Sequence, residues 1–156
     1  MNKGTMIAMG VLIVLAGFCF VWMIQQFSEF KVARDKARTI ADTFGQETVE
    51  LLTLNWKFED IRLRSAQSLV DSDEDGSLSA RLLKYKEMLG PMKSSSGETT
   101  IPVIDDSGDA PIMRATYTAD VVCENGTATI KLDLARQKRN SWQIVGIEVT
   151  ADEPVN

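Results

Sequence analysis

The chain reads as an α+β protein: an N-terminal transmembrane helix, then a domain of one long helix, two shorter helices and a bent antiparallel sheet. Three observations predict this. Thr5 to Ile24 form twenty residues without a charge. Apolar residues then recur at three- and four-residue steps as far as Leu89, the mark of amphipathic helices. After Pro91 the period changes to two, the mark of half-buried strands.

The first segment sets the organisation. At about 1.5 Å rise per residue, some twenty residues match a hydrocarbon core of roughly 30 Å. Residues 1–25 are therefore expected to be a membrane anchor and 26–156 a soluble domain. A cleavable signal peptide is the competing reading, since Lys3 gives a short positive N-terminal region. Against it, the apolar run continues through Phe18, Phe20, Trp22 and Met23, beyond a usual signal core. Leu15-Ala16-Gly17-Phe18-Cys19 approaches a lipid-attachment pattern, but Phe18 stands where a small residue should precede the cysteine. Cys19 reads as an apolar residue of the helix. Trp22 suits an interfacial position, and Gly10 and Gly17 share a helical face open to a partner helix. Lys31, Arg34, Lys36 and Arg38 after the span argue by the positive-inside count for a cytoplasmic domain, whereas Lys3 before it is the pattern of a signal-anchor that exports its C-terminal domain.

Composition narrows the classes. With one cysteine in the span, Cys19, and one beyond it, Cys123, no disulfide forms within the soluble domain. A net charge of −5, with acidic clusters at Asp71 to Asp75, Asp105 to Asp109 and Asp152 to Glu153, is not the profile of a nucleic-acid binder. The 131 residues after Gln25 suffice for one compact domain.

The first soluble helix carries Ala33, Ala37, Ile40, Ala41, Phe44, Thr48, Val49 and Leu52 on one face and is expected to end near Leu54. No proline precedes Pro91, so this helix can continue from the anchor as a stalk; Gly45 within it costs about 1 kcal/mol against alanine and does not break it. A second helix is predicted over Phe58 to Val70 and a third over Leu78 to Leu89, stopped by Gly90-Pro91. A strand follows near Met92 to Val103. Met113, Ala115, Tyr117, Ala119, Val121 and Cys123 then alternate with polar neighbours, and Asn125-Gly126 predicts a tight hairpin into Ala128, Ile130, Leu132 and Leu134. A second hairpin, through Gln137 to Asn140, leads into Trp142 to Thr150. The apolar parity there shifts from Trp142 and Ile144 to Val145, Ile147 and Val149, which predicts a β-bulge beside Gly146.

This order resembles the nuclear transport factor two-like superfamily, the cone fold in which a curved sheet wraps a long first helix. The resemblance lies in LLKYKEMLGPMK at Leu82 to Lys93 and in the ladder Ala115 to Ala119, Thr127 to Leu134 and Ser141 to Ile147. Within it, Ala115-Thr116-Tyr117, Asn125-Gly126, Thr129-Ile130 and Trp142-Gln143-Ile144 look like small bacterial members. It covers roughly residues 30–150 and implies a cone-like domain. Many anchored members carry that domain outside the cytoplasmic membrane, so the resemblance favours the periplasm.

Catalytic signals are sparse. The chain has no histidine, which removes the commonest general base near neutral pH, the histidine-dependent nucleophilic dyads and triads, and most zinc sites. Cone-fold isomerases, by resemblance, use an Asp base with Tyr or acid donors. Tyr117 shares the helix-packed side with Trp56 and Trp142, and these three are the candidate pocket residues, with core packing as the plainer role. Asp120 and Asp133 fall on the opposite, polar faces. Cys123 has no histidine to activate it and reads as a packing residue.

One metal motif stands out. Asp71-Ser72-Asp73-Glu74-Asp75-Gly76-Ser77-Leu78 matches the first eight positions of an EF-hand calcium loop, with Asp71, Asp73, Asp75 and Ser77 as ligand candidates. Position twelve is Leu82, where a bidentate Glu belongs. The alternative is a solvated linker in which Asp75 or Ser77 caps the third helix. Two function classes follow: a non-catalytic, membrane-tethered interaction module serving as accessory or assembly subunit of an envelope complex, with other envelope or membrane proteins or its own copies as partners, or a small-ligand binding or sensing domain using the cone cavity, less readily a lyase or isomerase. Calcium apart, no cofactor is expected.

Overall fold

The structure, a computed structural model, describes Trp22 and residues 31–108, 110–137 and 141–152. The chain divides into two compact units, Met1–Lys36 and Ala37–Asn156. Among the described residues no helix is long and apolar enough to cross a membrane. The expected anchor over Thr5 to Ile24 lies outside them except for Trp22, as do Cys19 and the junction of anchor and stalk.

The second unit is α+β, built on a five-stranded antiparallel sheet. Helix α1 is described over residues 31–55, α2 is Gln67–Ser72 and α3 is Ser77–Leu89. Strands β1 (Met92–Thr99), β2 (Val103–Asp105), β3 (Ile112–Cys123), β4 (Thr127–Gln137) and β5 (Gln143–Ala151) follow. The spatial order is β1-β3-β4-β5, with β2 also pairing β3.

Within the second unit α1 buries Ala37, Ala41, Gly45, Thr48, Val49, Leu52 and Thr53, a stripe at three- and four-residue steps. The two threonines are accommodated because each hydroxyl donates to a carbonyl one turn back, Thr48 to Phe44 and Thr53 to Val49, both at 2.7 Å. Ile40 and Phe44, read from the periodicity as part of this face, lie on its flank and remain exposed or half-buried. The opposite layer of the core is Ala115, Tyr117, Ala119, Val121 and Cys123 of β3 and Ala128, Ile130, Leu132 and Leu134 of β4, the parity read from the sequence. Their outward neighbours pair across the strands: Thr116 donates to Asp133 at 2.9 Å and Thr129 to Asp120 at 2.8 Å.

The bulge is where the parity shift puts it. Asp133 pairs with Gly146 and Leu134 with Ile144, leaving Val145 as the extra residue. Gly90 ends α3 at φ 72°, ψ −163°, a conformation open essentially to glycine, with its N–H on Lys86 O.

Three local expectations are corrected. The second helix does not run from Phe58 to Val70: that stretch is two 3₁₀ turns, Phe58–Asp60 and Arg62–Arg64, and only α2 is α-helical. Ser65 and Ala66 are extended because the sheet recruits them, Ser65 bridging Ile144 and Ala66 N–H donating to Ile144 O at 2.8 Å. The strand near Met92 to Val103 is two strands, β1 and β2, that pair with successive parts of β3 and are parted at Thr100 to Pro102. The Asn125-Gly126 turn closes with neither residue in the left-handed region that a type I′ turn needs. Its amides serve α3 instead, Asn125 N–H donating to Leu89 O and Glu124 N–H to Pro91 O, both at 3.0 Å. Residues 138–140 of the second hairpin turn lie outside the described residues.

Helix α1 meets the sheet where a side chain is missing. A β-carbon added to Gly45 would stand 2.6–2.7 Å from the Tyr117 ring carbons Cδ2 and Cδ1. The far end of that ring is bounded by Gly97 of β1, where an added β-carbon would lie 2.5 Å from the Tyr117 hydroxyl. The ring therefore has glycine at both ends and cannot slide away from either. Gly45→Ala should lower the unfolding free energy by about 1–2 kcal/mol, the overpacking cost outweighing the helix-propensity gain of about 1 kcal/mol. Urea unfolding checks this, with Gly108→Ala, whose added carbon meets nothing within 4 Å, as a control expected to leave stability unchanged.

Candidate functional site

The three aromatic candidates occupy separate surroundings. Trp56 is fully buried at the end of α1, its indole N–H donating to Gly90 O at 3.2 Å and its ring tilted against Tyr85 at 6.1 Å. It holds φ 54°, a left-handed backbone rare for a bulky residue. Tyr117 fills the space between Gly45 and Gly97. Burial, and then the carboxylates of Asp42 and Glu50, push its phenol further up from 10, so it keeps its proton at neutral pH. Trp142 is buried in the core as well, and one part of it lines a groove. Burial also raises the thiol of Cys123, which stays protonated and unreactive.

Asp42 escaped the reading of strand parity because it comes from α1. One carboxylate oxygen accepts the Thr99 N–H at 2.6 Å. Arg38, one turn earlier, donates from Nε to Thr99 O at 2.8 Å and lies 3.7 Å from Glu98. The pair thus grips both backbone groups of one β1 residue, an i, i+4 arrangement that ties the helix to the edge strand. The Thr99 hydroxyl beside it is buried without a partner. Asp42 also lies near enough to Tyr117 for its charge to act on the phenol.

The acidic loop is occupied by its own backbone. Asp73 accepts Leu78 N–H at 2.7 Å and Ser79 N–H at 3.4 Å on one oxygen and the Ser79 hydroxyl at 2.7 Å on the other. Asp75 accepts Ser77 N–H at 3.0 Å, and bonds from Ser77 hold its carboxyl below the usual range. Asp71 is held by Gln67 of its own helix at 2.6 Å. Gly76, at φ 69°, is the residue before α3, and two carboxylates serve the first-turn amides: the expected Asp75 takes Ser77 N–H, and Asp73 takes those of Leu78 and Ser79. Leu82, at the twelfth position, is fully buried in the core. Among the described residues no three His, Cys, Asp or Glu side chains stand close enough to hold a metal ion. At the end of β2 Asp105 makes a comparable loop: bonds from the Ser107 hydroxyl, from Ser107 N–H at 3.1 Å and from Arg114 Nε at 2.9 Å hold its pKa at about 2.

The feature with binding potential is a groove of about 450 Å³ on the flank of α1. Thr39, Ile40, Thr43, Phe44 and Glu47 form one wall, and Arg136, Ser141 and Trp142 the other. Helical spacing places the first set on one side of α1; the β4 end and the approach to β5 supply the second. Arg136 stacks its guanidinium on the Trp142 ring, 5.4 Å from the centroid. Its Nε–H and the Trp142 indole N–H are both buried without an acceptor, and such an orphaned donor costs about 1–3 kcal/mol. The acid of the groove, Glu47, is taken by Arg64 at 2.9 Å, which itself lies over the Phe44 ring at 5.3 Å. No sequence motif marks this site: Trp142 is a candidate pocket residue with core packing as its plainer role, and nothing in the sequence singles out Arg136.

Asp73→Ala should cost about 1 kcal/mol of stability through loss of the α3 cap. With the carboxylate engaged as it is, the melting temperature of the parent should be the same in millimolar calcium and in chelator; a calcium-dependent rise that Asp73→Ala removes would restore an ion-binding role to the loop.

Comparison of the chain with protein families, with curated proteins and with solved structures finds no match, so its geometry and sequence carry the functional reading alone.

Proposed function

We propose that the protein is a membrane-tethered, non-catalytic interaction module with a cone-like domain of the nuclear transport factor two-like kind, acting as an accessory or assembly subunit of an envelope complex. The observation that carries this reading is the apolar edge at β2. Ile101, Val103 and Ile104 are 55%, 64% and 51% exposed within four residues, and across the ladder the strand faces Arg114, Met113 and Ile112. Strand β2 pairs β3 on one side, and an exposed apolar sheet edge offers main-chain groups to which a partner chain adds. The filled interior around Tyr117 and the element order of long helix, short helices and antiparallel sheet support the same reading.

The uncharged run from Thr5 to Ile24 supports the tether, with Lys3 ahead of it as a signal-anchor and the domain in the periplasm of a bacterial inner membrane. A phosphatase fused after Asn156 should be active; an inactive fusion with an active cytoplasmic reporter at the same junction reverses the topology.

The full-length chain extracted in mild detergent should co-purify with a stoichiometric partner identifiable by mass spectrometry. Val103→Lys with Ile104→Lys should abolish that recovery while leaving the melting temperature within a degree or two of the parent. A lone 17.3 kDa chain or a simple homo-oligomer would overturn the assembly reading. The groove at Trp142 favours a second reading, a small-ligand domain, because it joins aromatic and aliphatic walls to a guanidinium that has no carboxylate partner among the described residues.

A further inference from the structure

The groove between α1 and the β4–β5 end admits a statement about what it binds. Arg136 is half-buried, and the described residues place no carboxylate within 4 Å of it; its one recorded polar contact is Nη2 to Met113 Sδ at 3.9 Å. Four other arginines, Arg38, Arg62, Arg64 and Arg114, each have an acid in reach, at 3.7, 3.3, 2.9 and 2.9 Å. Arg136 lies over an aromatic face, as Arg64 does, and at the wall of a cavity; what sets it apart among the described residues is a buried Nε–H without a partner. The acid nearest in the lining, Glu47, is neutralised by Arg64 and so leaves the positive charge of Arg136 uncompensated in the groove. Ile40 and Phe44 face it from α1 and supply an apolar wall.

A planar guanidinium with a free edge matches a carboxylate, which takes two parallel N–H bonds. Ile40 and Phe44 on the facing wall suit an apolar body. We infer that this groove binds a small monocarboxylate carrying a flat or branched apolar group, with Arg136 holding the carboxylate and Ile40, Phe44 and Trp142 holding the body. This rests on the small-ligand reading of the groove and is independent of the β2 edge. Binding moves the guanidinium to present its Nε edge, which changes the field at the Trp142 indole N–H beneath it.

The test uses the full-length chain in zwitterionic lipid nanodiscs, with phenylacetate and its neutral isostere phenylacetamide as probes and empty nanodiscs correcting for partition. The Trp142 indole N–H resonance, assigned by its loss in Trp142→Phe, is followed by NMR. Phenylacetate should shift it saturably, the amide should bind at least tenfold more weakly, and Arg136→Gln should weaken phenylacetate at least tenfold while leaving the amide unchanged. Equal shifts by acid and amide would overturn the carboxylate assignment and leave the groove as a ligand site. No shift with either would overturn both the assignment and the small-ligand reading. The parent comparison of acid with amide stands on its own if Arg136→Gln fails to fold.

Discussion

The Tyr117 ring, confined between Gly45 and Gly97, is the contact on which the second unit is organised. A central strand normally meets a covering helix through interlocking side chains, with the helix axis held off by their bulk. Here the helix contributes no side chain at the point of closest approach, so a large ring from β3 packs on its backbone. The spacing of helix and sheet is thus set by the thickness of one aromatic ring. The Arg38–Asp42 clamp on Thr99 acts on the same region, because Thr99 pairs with Tyr117 across β1 and β3. Apolar packing fixes the distance and the polar clamp fixes the sliding coordinate.

A second constraint comes from the bulge at Val145. Doubling one residue against the β4 ladder turns β5, and Ile144, the last residue before the irregularity, offers its carbonyl to Ala66. The segment before α2 is thereby held as a short extended piece on the sheet edge, and the helical stretch around it is broken into 3₁₀ turns. Trp142, two residues earlier, is carried to the flank of α1 by the same strand. The groove with Arg136 follows from where β5 begins, not from a local motif.

What the sequence discloses and what it conceals divide along a physical line. Alternation in β3 and β4, the stop at Gly90 and the bulge beside Gly146 were legible because each depends on the residue's own conformation or on burial with a fixed period. The broken second helix was not, since Ile61, Ala66, Leu69 and Val70 suit a helix locally and the competing hydrogen bonds come from a strand some eighty residues away. Gly45 read as a mild defect because its value lies in what approaches it. The acidic loop illustrates the reverse: the spacing of Asp71, Asp73 and Asp75 fits a calcium site, but helix-capping needs the same residue types in the same order, and Asp73 serves that use. Of the groove, only Trp142 was singled out; the unpaired state of Arg136 depends on Glu47 being claimed by Arg64 of another element.

Helix α1 ends in a way that ties its length to the rest of the domain. No glycine or proline stops it; the break is the left-handed backbone of Trp56, which costs on the order of 1–3 kcal/mol at a bulky residue. That cost is offset by burying the indole and by its bond to Gly90 O, thirty-four positions later in the chain. The helix boundary is therefore not encoded where it occurs. The partner that secures it, the Gly90 carbonyl, belongs to the α3–β1 junction, so a chain cut before Gly90 keeps the sequence of the helix end and loses the bond that holds it.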